Sequence, residues 1–327
     1  GQRSIAGSID LKPLRQQTIV ITGASSGIGL AAARRAARGG AAVVLVSRNA
    51  EALREATEEI RNSGGRAAWC VVDVADYSYP ERVGEVAERE FGGFDSWINN
   101  AAASFYGTLD QASEEEHRRV FDVGYFGTVA GSLYAARKFR ERGGGALINV
   151  GSVLSERAVP LQGPYGAMKH AVLGFTETLR MELQREQAGV SVTLIKPHSI
   201  DTPYPEHARN KLDKPAALPG IIYDPELVAK AICFACENPR RELVIGGQGF
   251  MVTKIGNLVP GITDKVMEHF LGESAQTSDI PPEPGAADNL FEPREDGRTH
   301  SNQNRRARQT SLALEAQMHP LTTTVLT

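Results

Sequence analysis

A short β-branched run, Thr18-Ile19-Val20-Ile21, ends in Thr22-Gly23-Ala24-Ser25-Ser26-Gly27-Ile28-Gly29 and opens directly into the helical stretch Leu30–Arg38. Gly23, Gly27 and Gly29 let the chain turn tightly, let the backbone approach a ligand, and bring helix close to strand. The helix that follows presents free N–H groups and the positive end of its dipole to whatever lies over the turn, which is a seat for a pyrophosphate. In a strand–turn–helix setting the signature is specific. The turn lacks a Gly-Lys-Ser/Thr ending, which argues against a phosphate-cradling NTPase loop.

From about residue 17 to 247 the same alternation of strand and helix repeats. Strands are predicted at Thr18–Ile21, Ala42–Val46, Ala67–Val72, Ser96–Ile98, Ala146–Val150, Val190–Ile195 and Glu242–Ile245. Helices are predicted at Leu30–Arg38, Ala50–Asn62, Glu81–Phe91, Ser113–Arg140 (broken near Gly124) and Gly163–Gln187. Apolar strands alternating with helices imply a parallel sheet covered on both faces. The chain reads as an α/β protein with a single doubly wound, Rossmann-type, seven-stranded sheet. Residues 1–16 form an N-terminal arm, 17–249 the domain, 250–272 an amphipathic extension and 273–327 a tail expected to be disordered. The extension suits docking on the domain or on a second subunit better than a membrane-surface or pocket flap.

Charge excludes some functions. A formal net charge of −3 gives no basic excess for nucleic acid. No apolar run is long enough to span a bilayer, and Gly1 to Gln17 lacks the apolar core of a signal peptide, so a cytoplasmic protein is expected. Cys233 and Cys236 form a C-x-x-C, but no second Cys or His pair lies nearby. They read as small apolar filler on a buried helix face rather than as a redox or metal pair. No metal site is predicted.

The candidate chemistry lies in Tyr165-Gly166-Ala167-Met168-Lys169, with Ser152 thirteen residues before the tyrosine. Positions four apart on a helix share a face, so an ammonium can sit beside the phenol. A neighbouring cation pulls the tyrosine pKa down from about 10 toward working pH. Tyr165 is then a candidate general acid/base for a hydroxyl–carbonyl interconversion, with the Ser152 hydroxyl steadying the oxygen.

With its Gly-x-x-x-Gly-x-Gly turn, Ser152 and the Tyr165/Lys169 pair, the sequence resembles the short-chain dehydrogenase/reductase family from about Gln17 to Gly247. Asn99-Asn100-Ala101-Ala102, Asp73-Val74 and Lys196-Pro197-His198 resemble further family motifs in the family's order. The resemblance implies Ser152, Tyr165 and Lys169 as catalytic residues and hydride exchange between a nicotinamide and a substrate carbon. It implies that Gly23, Ser25, Ser26, Gly27, Ile28 and Gly29 hold the cofactor together with Asp73, Val74, Asn100, Ala101, Pro197, Tyr165 and Lys169. The second strand ends in Val46-Ser47-Arg48-Asn49 with no acid to bind free ribose hydroxyls, and Arg48 suits a 2′-phosphate. NADP(H) is therefore expected over NAD. The resemblance implies a small-molecule alcohol or carbonyl substrate and a homodimer or homotetramer.

Three positions depart from the pattern. Gly124 stands where the family carries an asparagine that supports a water relay to the lysine; glycine cannot supply the amide, though it leaves volume for a water. His198 replaces a glycine, either as a pocket polar group or proton carrier or as a loop histidine with satisfied hydrogen bonds. Ala102 replaces a glycine. Gln162 lies close enough before Tyr165 to line the pocket, and the Asp201–Tyr223 stretch matches the substrate-covering flap. A cofactor-binding sensor or scaffold without chemistry is the alternative, and the larger substrate domain of a sugar-nucleotide epimerase finds no room here.

Overall fold

A computed structural model describes residues 9–247, 265, 271–280, 287–294, 297–303 and 305–319. In chain order the strands are β1 (Thr18–Thr22), β2 (Ala42–Ser47), β3 (Arg66–Val71), β4 (Ser96–Asn99), β5 (Phe105–Tyr106), β6 (Gly145–Val150), β7 (Val190–Pro197), β8 (Arg209–Asn210) and β9 (Glu242–Ile245). The helices are α1 (Gly27–Arg38), α2 (Ala50–Asn62), α3 (Tyr79–Phe91), α4 (Glu114–Phe121), α5 (Gly127–Arg142) and α6 (Gly163–Arg185). After them come α7 (Tyr204–His207), α8 (Pro225–Glu237) and α9 (Leu312–Met318).

Seven strands form one sheet in the order β3-β2-β1-β4-β6-β7-β9, and every pairing is parallel. The doubly wound sheet expected from the sequence is present. Strands β1, β2, β4, β6 and β7 are buried at every position. Alternate residues feed two cores: Ile19, Ile21, Val43 and Leu45 pack with Leu30, Leu53 and Ile232, while Val20, Val44 and Val46 pack with Val83, Ala135 and Val172. Both faces are covered, so β1 and β2 are apolar at every interior position, and the polar residues buried in the other central strands, such as Asn99 and Asn149, must find hydrogen-bond partners.

The chain leaves β1 toward β2 on one side and has β4 on the other, so the sheet's order reverses at β1. In open parallel sheets the crevice beyond the strand C-termini at such a point receives ligands. Asn100 closes its floor: its Nδ2 donates to the Thr22 and Gly23 carbonyls at 3.1 and 3.3 Å, and its N–H donates to Thr22 Oγ1 at 3.0 Å. Behind it, Asn99 Nδ2 donates to Ser132 Oγ (3.0 Å) and Asn149 Oδ1 (2.9 Å), and Asn149 Nδ2 donates to Thr176 Oγ1 (3.0 Å). This satisfied buried network ties β4 to β6 and to the helices over them.

Two readings change. The helix expected over Ser113–Arg140 does not break at Gly124; it passes from α4 to α5 through a π-helical turn at Asp122–Phe126. Such an insertion re-aims the following residues without interrupting the helical path. In addition, the described parts of the tail are folded against the domain rather than disordered. Leu290, Leu314 and Met318 are buried, and Gln317 bonds the Val244 main chain at the edge strand β9. The Leu314 and Met318 spacing gives α9 one apolar stripe, too short to register as periodicity within a polar stretch. The amphipathic extension predicted at 250–272 lies almost entirely outside the described residues. Cys233 and Cys236 sit in the core on α8, where burial raises both thiol pKa values, that of Cys236 to about 12. Among the described residues, no helix is long and apolar enough to cross a membrane, and no cluster of His, Cys, Asp and Glu could hold a metal.

Candidate active site

The crevice is a cavity of about 750 Å³. At one end lie Gly23, Ser25, Ser26, Gly27 and Ile28 of the glycine turn, with Arg48, Asp73, Val74, Asn100 and Ala101; at the other lie Ser152, Tyr165, Lys169, Pro197 and His198. Every predicted site residue except Gly29 therefore lines one cavity. Gly29 serves packing: a Cβ there would stand 2.2 Å from the Gly23 carbonyl oxygen. Gly23 has φ +67°, and a Cβ on it would meet the Ala101 Cα at 2.9 Å. The glycines thus set how closely the turn, α1 and the end of β4 approach one another.

At the second-strand end, Arg48 donates from both terminal guanidinium nitrogens, to the main-chain carbonyls of Phe291 and Asn289. Asp73 Oδ2 lies 3.8 Å from Arg48 and accepts from Arg119 Nη2 at 2.6 Å. Arg119 Nε also donates to the Leu290 carbonyl at 2.8 Å. The same tail covers the glycine turn: Asn49 Nδ2 donates to the Arg294 carbonyl (2.6 Å) and the Gly27 N–H to the Arg298 carbonyl (2.8 Å). Sequence reasoning missed this segment and Arg119. Main-chain carbonyls carry no side-chain signature; the one available signal was the apolar pair Leu290-Phe291 in a polar stretch.

At the catalytic end, Ser152 follows β6, and its Oγ accepts from the Leu154 N–H at 3.0 Å. The Tyr165 phenol faces the side chains of Ser152 and Tyr204, both of which act to lower its pKa. Lys169, one helical turn along α6, places Nζ 5.5 Å from the Tyr165 ring centroid and donates to the Val150 carbonyl at 2.7 Å. Burial governs both titrations here. It pushes the Tyr165 phenol up to about 12, against the lowering influence of Ser152 and Tyr204, and the Lys169 ammonium down to about 7. The expectation that Lys169 draws the phenol downward is not met in this structure. Burial disfavours the charged form of Lys169, and its Nζ donates to a main-chain carbonyl rather than to the phenol oxygen.

The volume beside Gly124 is filled. A Cβ on Gly124 would lie 2.5 Å from both Sδ and Cε of Met168, so the side chain next to Lys169 takes the space read above as room for a water. Gly124→Asn is expected to overpack this contact and cost about 1–3 kcal/mol of unfolding free energy, without raising turnover. Denaturant titration checks it; unchanged stability would show that Met168 yields freely. His198 lines the cavity half-buried, its Nδ1 unpartnered, and burial lowers its pKa.

The glycine turn, the α1 N-terminus, Arg48 and the length of the cavity suit a phosphorylated dinucleotide. Arg48 has five N–H donors, and two main-chain carbonyls leave capacity for a phosphate.

Comparison with known proteins agrees with this geometry. The model of the short chain dehydrogenase family matches residues 17–213. The uncharacterized oxidoreductase YxnA of Bacillus subtilis (strain 168) is 46% identical over 291 residues, 88% of this chain and 82% of its own. An alcohol dehydrogenase from Thermococcus sibiricus, solved with 5-hydroxy-NADP, has TM-score 0.61 at 26% identity, covering 70% of this chain and 95% of its own. The L-sorbose reductase of Gluconobacter frateurii, solved with NADPH and L-sorbose, has TM-score 0.62 at 26% identity, covering 74% and 98%. With that family model spanning most of the sheet and YxnA matching along nearly the whole chain, the protein belongs to the short chain dehydrogenase family.

Proposed function

We propose that this oxidoreductase interconverts an alcohol and a ketone or aldehyde with NADP(H), using Tyr165 as the general acid/base. The observation that carries this reading is the single cavity joining the glycine turn and Arg48 at one end to Ser152, Tyr165 and Lys169 at the other. The NADPH and 5-hydroxy-NADP of the two structural neighbours support the choice of cofactor.

The glycine turn and the N–H groups opening α1 would hold the pyrophosphate, Arg48 the 2′-phosphate, and Lys169 the nicotinamide-side ribose. When bound, the dinucleotide supplies or accepts the hydride. In reduction Tyr165 donates its proton to the substrate oxygen, and in oxidation it takes one from the hydroxyl. Ser152 donates a hydrogen bond to the same oxygen and steadies the charge that develops there. The reading takes the enzyme to be a cytoplasmic homodimer or homotetramer. Exposed Phe126 at the start of α5, Leu133 on α5 and Met181 on α6 support a subunit contact through these helices.

NADPH consumption against a panel of ketones, aldehydes and quinones tests the reading. Turnover with a carbonyl compound is the expected result. Tight NADPH binding without turnover of any of them would favour a non-catalytic sensor on the same fold.

A further inference from the structure

Tyr165 packs against a second phenol, that of Tyr204. Tyr204 opens α7, in the flap, and its ring packs edge-on to Tyr165 with centroids 5.3 Å apart. The Tyr204 hydroxyl accepts from Ser104 Oγ at 2.6 Å and donates to Gln162 Oε1 at 3.2 Å.

The direction of that last bond is fixed from further away. Gln276 Nε2 donates to the carbonyls of Pro160 and Leu271, at 2.9 and 2.5 Å, which turns its Oε1 toward Gln162. Gln162 Nε2 donates to that oxygen at 2.7 Å, so Gln162 Oε1 faces Tyr204. Both amides are buried. A buried amide whose N–H groups are committed to carbonyls cannot flip without orphaning them. Tyr204 therefore has one proton and two acceptors for it, Gln162 Oε1 and the Tyr165 oxygen.

We infer that Tyr204 is a positioning residue for the proton transfer, turning its O–H from Gln162 to the Tyr165 oxygen when Tyr165 gives up its proton. The inference rests on the reading of Tyr165 as the acid/base. Ser104 polarises the Tyr204 hydroxyl and makes it a better donor. Among the described residues, the titratable groups facing Tyr165 are Lys169 on its own helix, Tyr204 on α7 and Tyr106 on β5. Lys169 sits over the ring and bonds Val150, so the support at the oxygen itself comes from Ser152 and Tyr204.

The test is the pH profile of kcat/KM for oxidation of an alcohol by NADP in the full-length enzyme, beside NADP affinity and thermal stability. The wild-type profile should show an ionisation that Tyr165→Phe abolishes; without that, the reading of Tyr165 fails. A hydrogen bond to a charged oxygen contributes about 1.5–3 kcal/mol, so Tyr204→Phe should raise this apparent pKa by about one to two units, with unchanged NADP affinity. Ser104→Ala should move it the same way by less, and it stands in if Tyr204→Phe does not fold. An unmoved profile in a folded Tyr204→Phe, or in Ser104→Ala where Tyr204→Phe fails to fold, overturns the inference and leaves Tyr204 as a wall of the pocket. A large rise in turnover overturns it too, by making Tyr204 an obstruction.

Discussion

Tyr165→Phe is expected to lower kcat by about a hundred- to ten-thousand-fold, the range a positioned acid/base contributes, while NADPH still binds. The substitution removes one oxygen and leaves the ring that packs against Tyr204. The fold should tolerate it, because the two side chains that face the lost hydroxyl keep partners of their own. Ser152 still accepts from Leu154, and Tyr204 keeps Ser104 and Gln162. Steady-state kinetics beside a fluorescence titration of NADPH separates the two effects. Activity near wild type in the variant would mean the proton travels through another group.

Arg48→Ala should raise the KM for NADPH by about ten- to a hundredfold, the equivalent of one charge-assisted contact, with little change for NADH. The expectation follows from where Arg48 sits: at the cavity end opposite Tyr165, beside Asp73, with its guanidinium held in the cavity wall by the Asn289 and Phe291 carbonyls. The same contacts give the experiment its control. Arg48 also anchors the tail, so a purely structural role would weaken NADPH and NADH alike. Parallel kinetics with the two cofactors reads the difference directly. Equal losses would contradict a 2′-phosphate contact.

The sheet was legible because several strands are apolar at both parities, a pattern that a strand covered on two faces requires. Runs such as Val43-Val44-Leu45-Val46 carry that message locally. The glycine turn was legible for a related reason, since backbone approaches that exclude a Cβ leave glycines in the sequence. Ser152, Tyr165 and Lys169 stood out through helical spacing and family resemblance, and the fold brings all three into one cavity. Two kinds of feature stayed hidden. The tail over the glycine turn acts through carbonyls of Asn289, Phe291, Arg294 and Arg298, which any residue could supply. The meeting of Tyr204 with Tyr165, and of Gln276 with Gln162, depends on tertiary packing between distant segments. The titration of the Tyr165/Lys169 pair was misjudged from spacing alone: spacing gives proximity but not burial, and burial dominates both groups.

The most direct measurement of the central claim uses NADPH carrying deuterium on the transferable face of C4, incubated with a reducible carbonyl compound. The account predicts a product alcohol with deuterium on its carbinol carbon in the wild-type enzyme, and unlabelled carbonyl recovered with Tyr165→Phe. Label released to solvent, or equal transfer by both proteins, would contradict it.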